Sequence, residues 1–374
     1  MLIKSSSESA ASIEISSMIM GVRERGATIE RLRSELAATN VSVSYEHAPN
    51  PDPTVLQSAA IAWSNVPETA THHVVVQDDV ELGDNFVGAL QAAARIHPNC
   101  AISFFAEWGC KTASLVRVAA LIGAGWVEGI DKYVQTQALL MPASSARALG
   151  GYLKDRRDSL LPEDVLVLEF LRREGLRHLV AAPNLAQHLD LPSMTGNAWQ
   201  GPRRSVHFDR SGGLPAERTV EGVAAVPFYQ WRVGKTWLLT RETSGAGDWR
   251  REPLAAVLER QGWASSDTTD MLAGHRFLAP DPAPDMVRYL SGVVEMSAAT
   301  TMTAAAIAPA DRLSMAAGSP AAAAFATLGD GALRSLLPPA TLDAIRDRLR
   351  AMVGAVVTSA AARLASGALR PLGA

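Results

Sequence analysis

THHVVVQDDVELGD, residues 71–84, decides how the rest of the chain is read. Three β-branched residues, Val74, Val75 and Val76, follow two histidines and stop at Gln77-Asp78-Asp79. A short apolar run of this kind reads as a strand buried on both faces, as found inside a parallel sheet. Ligands of open α/β sheets lie beyond the carboxyl ends of the strands, so two adjacent carboxylates there point to a site. Side chains alternate faces in extended chain, and both can address one point only if the strand breaks. A divalent cation carrying a phosphate would justify the pair, since one or two carboxylates plus substrate phosphates is the usual Mg²⁺ arrangement. The structural alternative is a helix cap, with Asp79 or Asp84 receiving the amides of a helix over residues 85–96. Capping explains Asp84 well and the Asp78-Asp79 pair poorly.

Composition narrows the function classes. At 374 residues the chain is long enough for one large domain or two smaller ones. A hydrophobic share of 48% and a charged share of 20% are ordinary for a globular protein. The net charge of -3 offers no broad basic surface, so nucleic acid is not an expected partner. Cys100 and Cys110 are too few for a disulfide framework or a four-ligand zinc site, and a reducing cytoplasm is the expected setting. The first residues, MLIKSSSESAAS, lack the apolar core of a signal peptide. No run of about eighteen apolar residues suggests a membrane span.

Along the chain, residues 1–12 read as a tail. A strand over 13–20 leads through Gly21-Val22-Arg23-Glu24-Arg25-Gly26 to a helix over 28–38, with Thr28 as its N-cap. A strand over 41–45 ends in the turn-rich HAPNPDP, and a helix over 54–64 precedes the central strand. This alternation argues for a parallel, doubly wound sheet. Beyond the Asp pair the pattern predicts a helix over 85–96, a strand over 101–105, a strand over 137–141 and a helix over 144–153. A helix over 165–174 closed by Gly175 and a strand over 178–182 follow. The first domain is expected to span 13–210. Residues 211–374 read as an aromatic-containing stretch and then an Ala-rich helical region, with helices over 254–261, 285–296 and 340–369 and a loosely packed stretch over 298–326.

Three constellations can carry chemistry: Gln77-Asp78-Asp79, Glu163-Asp164 and His188. Acids in a first helical turn are favoured by the helix dipole, so Glu163-Asp164 has a purely structural reading; its functional reading is a general base. His188 reads alone as a hydrogen-bonded loop histidine, or as a neutral ligand completing a metal site begun by carboxylates. His72 and His73, at the other end of the strand, read as structural.

Taken together these residues resemble nucleotide-sugar glycosyltransferases of the GT-A fold. VVVQDDVEL resembles the family's hhhh(E/Q)DD or DxD strand end, followed by an F-x-x-x-L helix and the strand PNCAISFF. LPEDVLVLEFL is similar to the acidic pair that opens a helix and supplies the base of inverting members. AAPNLAQHLDLPSMTGN is similar to the P-x-L-x-Q-H segment that contributes a metal-binding histidine. The resemblance covers roughly residues 13–200, and nothing after residue 210 shares it. It implies a Rossmann-like, mainly parallel sheet and transfer of a sugar from a nucleotide-diphosphate donor, a UDP-sugar ahead of a GDP-sugar, to a hydroxyl on a glycan, small molecule or peptide.

Carried over by position, the resemblance implies that Asp79 and His188 hold Mn²⁺ or Mg²⁺. Asp78 would meet the donor ribose or sugar, or the metal through water. Asp164 would be the base, with Glu163 shaping the acceptor site, while Arg23 and Asp52 would lie at the nucleotide. Gln77 departs from the family's usual acid, and the pattern is not a strict DxD. Two other classes compete: a metal-dependent nucleotidyltransferase, whose Gly-rich basic loop is only weakly matched by residues 21–26, and a non-catalytic scaffold binding carbohydrate or protein. The aromatics Phe228, Tyr229, Trp231, Trp237, Trp249 and Trp263 read as core ahead of a stacking platform. The arginine-bearing last helix reads as packing on its own domain ahead of lying on a membrane surface.

Overall fold

The computed structural model describes residues 12–45, 55–191, 200–242, 249–277, 283–313 and 315–373. The first layer follows the alternating pattern closely. Strand β1 (Ile15–Gly21) is followed by a 3-10 turn at Arg23–Arg25, helix α1 (Gly26–Glu35), β2 (Asn40–Tyr45) and α2 (Val55–Ser64). Then come β3 (His72–Gln77), the short β4 (Val80–Leu82), α3 (Phe86–Ile96), β5 (Cys100–Ser103), α4 (Thr112–Ile122) and β6 (Trp126–Glu128). The layer is completed by β7 (Ala138–Pro142), α5 (Ala143–Lys154), α6 (Glu163–Arg173), β8 (Arg177–Ala181), β9 (Ala186–His188) and β10 (Thr219–Val220). Eight of these strands form one sheet in the order β10-β6-β8-β5-β7-β3-β1-β2, and β4 pairs with β9 beside it.

The sheet is mixed and mostly parallel. β1 runs parallel to β2 and β3, β5 to β8, and β10 to β6. β7 lies antiparallel between β3 and β5, and β6 antiparallel to β8. The sheet expected from sequence is mainly parallel, and β7 and β6, with β10 beside β6, are the strands that run against that direction. A strand buried on both faces shows the same apolar run in either direction, and β7 is reached from β6 by residues 129–137 without a crossover helix.

The burial of β3 explains its composition. His72 through Val76 are buried and only Gln77 is partly open. Both histidines are satisfied inside the protein. His73 pairs its Nδ1 with Ser16 Oγ at 2.8 Å and its Nε2 with the Ala62 carbonyl at 3.1 Å, and His72 Nε2 meets the Pro98 carbonyl at 3.0 Å. Burial lowers both, His73 to about 4, so they stay neutral and structural.

Helix α4 is an addition to the elements expected from sequence. Nine of its eleven residues are buried, and only Ala120 and Ile122 near its end are partly open. It ends at Gly123, whose φ of 67° is a left-handed cap that suits glycine.

Past residue 210 the chain adds β10 to the large sheet and then builds an antiparallel sheet of β11 (Ala225–Gln230), β12 (Lys235–Arg241) and β13 (Trp249–Pro253). Helices α7 (Leu254–Arg260), α8 (Ser265–Gly274), α9 (Pro284–Ala305), α10 (Pro320–Leu333) and α11 (Pro339–Ala365) follow. The expected loose stretch over 298–326 is core only in part: 298–304, 313, 321, 324 and 325 are buried, while 305–312 and 315–320 are half-buried or exposed. Ser297, Thr300, Thr301 and Thr303 are fully buried on α9. Ser297 and Thr301 donate back to the Val293 and Ser297 carbonyls, both at 2.8 Å, which hides these hydroxyls inside the helix. Small side chains let α9 lie against α4 and α11 in one apolar cluster with Trp263, Leu290 and Phe325. Tyr229, Trp231 and Trp263 are buried, while Trp237 and Trp249 are half-buried. Among the described residues no helix is long and apolar enough to cross a membrane.

Phe325 is fully buried on α10, so Phe325→Ala is expected to cost about 3–5 kcal/mol by emptying this cluster. Leu160 is 101% exposed, and Leu160→Ala should stay within about 0.5 kcal/mol of the parent. Urea midpoints of the two variants check the difference.

Candidate functional site

The strand breaks at Asp78. Its amide still donates to the Met20 carbonyl of β1 at 3.0 Å, but its side chain turns toward the loop after β1. Asp78 Oδ2 accepts from the Val22 amide at 2.8 Å, and Oδ1 accepts from Arg25 Nη1 at 2.6 Å. A Cβ at position 21 would stand 2.7 Å from Asp78 Cβ, so Gly21 is what permits this approach. Burial pushes the Asp78 carboxyl up, while Val22 and Arg25 hold it down.

Asp79 is held from a second direction, while its carboxylate meets the same Arg25 nitrogen as Asp78. The antiparallel pairing of β4 with β9 sets Val80 opposite His188, and the Asp79 carbonyl accepts from the Leu189 amide at 2.7 Å. This ladder carries His188 Nε2 to 3.5 Å from Asp79 Oδ2. Arg25 Nη1 lies 3.1 Å from the same carboxylate oxygen, and Arg203 Nη2 lies 2.8 Å from His188 Nε2. His188 is buried, and burial lowers its pKa against the opposing pull of Asp79. A neutral ring accepts at Nε2 from Arg203 and carries its proton on Nδ1. Asp79 Oδ1 and His188 Nδ1 are both buried without a hydrogen-bond partner.

Glu163 of the acidic pair is joined to the same strand end by a side-chain relay. Gln77 Nε2 donates to Thr136 Oγ1 at 3.2 Å, and Thr136 Oγ1 donates to Glu163 Oε2 at 3.4 Å. Glu163 opens α6 behind Pro162 and is buried. Burial, reinforced by the Asp164 charge beside it, raises its pKa to about 7. Burial also raises Asp164, against the amides of Val165 and its own backbone, and Asp164 Oδ1 is buried without a partner. Helix-dipole stabilisation alone would depress both carboxyls; burial wins here.

The remaining sequence candidates sort as follows. Arg23 is exposed, with its guanidinium 5.0 Å from the centroid of the Tyr45 ring at the end of β2. Arg25, not Arg23, is the arginine from this loop that enters the acidic cluster. Asp52 lies outside the described residues. Helix α3 has Asn85 at its N-cap and no capping side chain, so the capping reading of Asp79 and Asp84 is not realised. Arg25, Thr136 and Arg203 were not singled out from sequence. Arg203 sits in GPRRS with no motif around it, and Thr136 follows a stretch without periodicity.

The donor set can be tested against a divalent cation. Among the described residues no group of three or more His, Cys, Asp and Glu side chains is arranged to hold a metal. Asp79 and His188 supply one carboxylate and one neutral imidazole, and the orphaned Asp79 Oδ1 adds a second oxygen. Such a pair fits Mg²⁺ or Mn²⁺ where substrate phosphates complete the shell. No family model matches the chain, and no curated protein matches it.

Glu163 yields a stability signature. Its ordinary value of 4.5 applies to the unfolded chain, and the folded value is about 7. Between these the folded protein keeps a proton that the unfolded chain releases, so this group's contribution to stability declines as pH rises from about 4.5 to about 7. Glu163→Gln removes the effect, so its stability relative to the parent should increase across that window. Urea midpoints at pH 5 and pH 8 measure it; parallel profiles would refute the assignment.

Proposed function

We propose that this chain is a GT-A-type glycosyltransferase, moving a sugar from a nucleotide-diphosphate donor to a hydroxyl acceptor with inversion at the sugar carbon. The observation that carries the reading is the approach of Asp79 and His188, far apart in sequence, to 3.5 Å beyond the carboxyl end of β3. The relay from Gln77 through Thr136 adds Glu163 to the same end of the strand. That edge is where ligands of open α/β sheets bind. Two buried, unoxidised thiols accord with a reducing, cytoplasmic setting.

The chain's own groups divide the work. Arg23 over Tyr45 offers a flat, cationic surface for the nucleoside. Asp78, fixed by Val22 and Arg25, stands where a ribose hydroxyl would be met. Asp164 Oδ1 has no partner and takes the acceptor's proton as the new C–O bond forms and the bond to the diphosphate breaks. Its raised pKa makes it a stronger base than an exposed aspartate. Glu163, protonated below about pH 7, donates a hydrogen bond rather than presenting a second charge. Bound Mn²⁺ or Mg²⁺ would be held by Asp79 and His188 and would neutralise charge on the departing diphosphate. A nucleotidyltransferase fits less well, because the loop after β1 spends Arg25 on Asp78 rather than forming an open phosphate cradle.

The direct test is UDP or GDP release from a panel of nucleotide sugars, first with Mn²⁺ and then with chelator. Release with Mn²⁺ is expected for at least one donor. Silence across every donor from folded protein would replace the enzyme reading with that of a binding scaffold. Asp164→Asn should lower turnover by about 10²-fold or more while UDP affinity, read by calorimetry, stays within about twofold. Asp79→Ala should instead abolish the Mn²⁺-dependent part of UDP binding.

A further inference from the structure

Two guanidinium groups at the site remain without a role. Arg25 Nη1 lies 2.6 Å from Asp78 Oδ1 and 3.1 Å from Asp79 Oδ2. Arg203 Nη2 lies 2.8 Å from His188 Nε2. The atoms they touch, Asp79 Oδ2 and His188 Nε2, are the ones that face each other at 3.5 Å, while Asp79 Oδ1 has no partner. A neutral imidazole has one lone pair at Nε2, so it cannot accept from Arg203 and ligate a metal at once. A cation on Asp79 would also sit beside Arg25, and like charges at contact distance repel.

Charge counting gives the direction of the coupling. Among the described residues, Asp78 and Asp79 stand against Arg25 and Arg203 around a neutral ring, and Asp190 pairs with Arg204. A divalent cation added alone leaves two uncompensated positive charges in a half-buried pocket. A diphosphate added alone draws guanidinium groups, whose planar fork matches phosphate oxygens. Once the arginines turn onto the phosphates, Asp79 Oδ2 and His188 Nε2 are released to the cation, and the charges of all partners nearly cancel.

The backbone permits such a turn without refolding. Just after Arg203, the Arg204 carbonyl accepts from the Trp108 amide at 2.9 Å and the Ser205 amide donates to Gln187 Oε1 at 2.7 Å. The Arg25 amide is held by the Val22 carbonyl at 3.1 Å. Both side chains keep some exposure, 14% for Arg25, so they can reorient at the mouth of the site.

We propose that Arg25 and Arg203 are diphosphate-binding residues that compete with a divalent cation for Asp79 and His188, so that nucleotide and cation bind this site with positive coupling. The identity of the anion rests on the sugar-nucleotide reading; the competition rests on the contacts alone.

The test measures Mn²⁺ binding to the full-length protein by the paramagnetic signal of free ion, alone, with UDP and with inorganic pyrophosphate. Either anion should tighten Mn²⁺ by about tenfold or more, and Mn²⁺ should tighten the anion by the same factor. Arg203→Gln should bind Mn²⁺ alone severalfold more tightly than the parent, bind UDP in chelator severalfold more weakly, and lose most of the coupling. Arg25→Gln should move in the same direction, but it also strips Asp78 of a partner, so Arg203→Gln decides. Arg33→Gln, on the exposed face of α1, controls for loss of one positive charge and should change neither affinity.

Equal Mn²⁺ affinity with and without both anions overturns the proposal, as does an Arg203→Gln protein with parental affinities. Coupling of Mn²⁺ to pyrophosphate without nucleotide release from any sugar donor upholds the arginines and sinks sugar transfer. Sugar transfer with parental UDP binding in Arg203→Gln does the reverse. Failure to bind Mn²⁺, UDP and pyrophosphate altogether removes both.

Discussion

The site depends on how the chain leaves β3. A buried carboxylate is costly unless it is paired and hydrogen-bonded. Asp78 meets that requirement sideways, through the Val22 amide and Arg25 in the loop after β1. That engagement takes the chain out of the β3 ladder, and Asp79 beside it meets the same Arg25 nitrogen at 3.1 Å. The Asp79 carbonyl then anchors Leu189, and the pairing of β4 with β9 brings His188 alongside. Adjacent aspartates therefore do different work. Asp78 fixes the backbone, and Asp79 offers an oxygen with no partner.

Burial sets the protonation of the groups around that oxygen. A helix N-terminus typically contributes about 0.3–1 kcal/mol to a nearby acid, less than the 1.36 kcal/mol that one pKa unit represents. Desolvation can move a buried group by several units. Glu163 and Asp164 stand in the first turn of α6 and are nonetheless raised, and His188 is lowered despite its nearness to Asp79. Each shift opposes the charge that the group would carry in water. A neutral imidazole thus stands next to two guanidinium groups and two aspartates, which is a setting that answers strongly to an incoming anion or cation.

Much of the sheet layer was legible because its signals are local. The valine run of β3, the alternating β2 and the apolar stripe of α6 each follow from period and composition. The direction of β7 was not legible, since a strand buried on both faces looks alike either way round. Helix α4 was not anticipated from sequence, although it is buried along nearly its whole length. The buried serines and threonines of α9 read as a loose stretch because their bonding to carbonyls one turn back is invisible in composition. At the site, the motif residues Asp79, Glu163 and His188 could be named from sequence. Choosing Arg25 over Arg23 required knowing which way the 3-10 turn points, and Arg203 arrives through tertiary packing alone.

That packing gives the second half of the chain a place in the argument. The segment carrying Arg203 runs along residues 106–108, where the Arg204 carbonyl takes the Trp108 amide at 2.9 Å and the Val206 amide reaches the Ala106 carbonyl at 3.0 Å. Arg334, at the end of α10, pairs with buried Glu107 and stacks 3.9 Å from the Trp231 ring. Thr327 of α10 donates to the Val206 carbonyl at 2.8 Å. Arg117 of α4, itself buried, bonds the Ala324 carbonyl at 3.1 Å and Thr327 at 3.2 Å. The helices that share no motif with the sheet layer thus grip both sides of the strap that holds Arg203 against His188. A chain that kept the sheet and lost those helices would still align Asp79 with its ladder and keep the strap's bonds to Ala106, Trp108 and Gln187, but the Val206 carbonyl and Glu107 would lose Thr327 and Arg334.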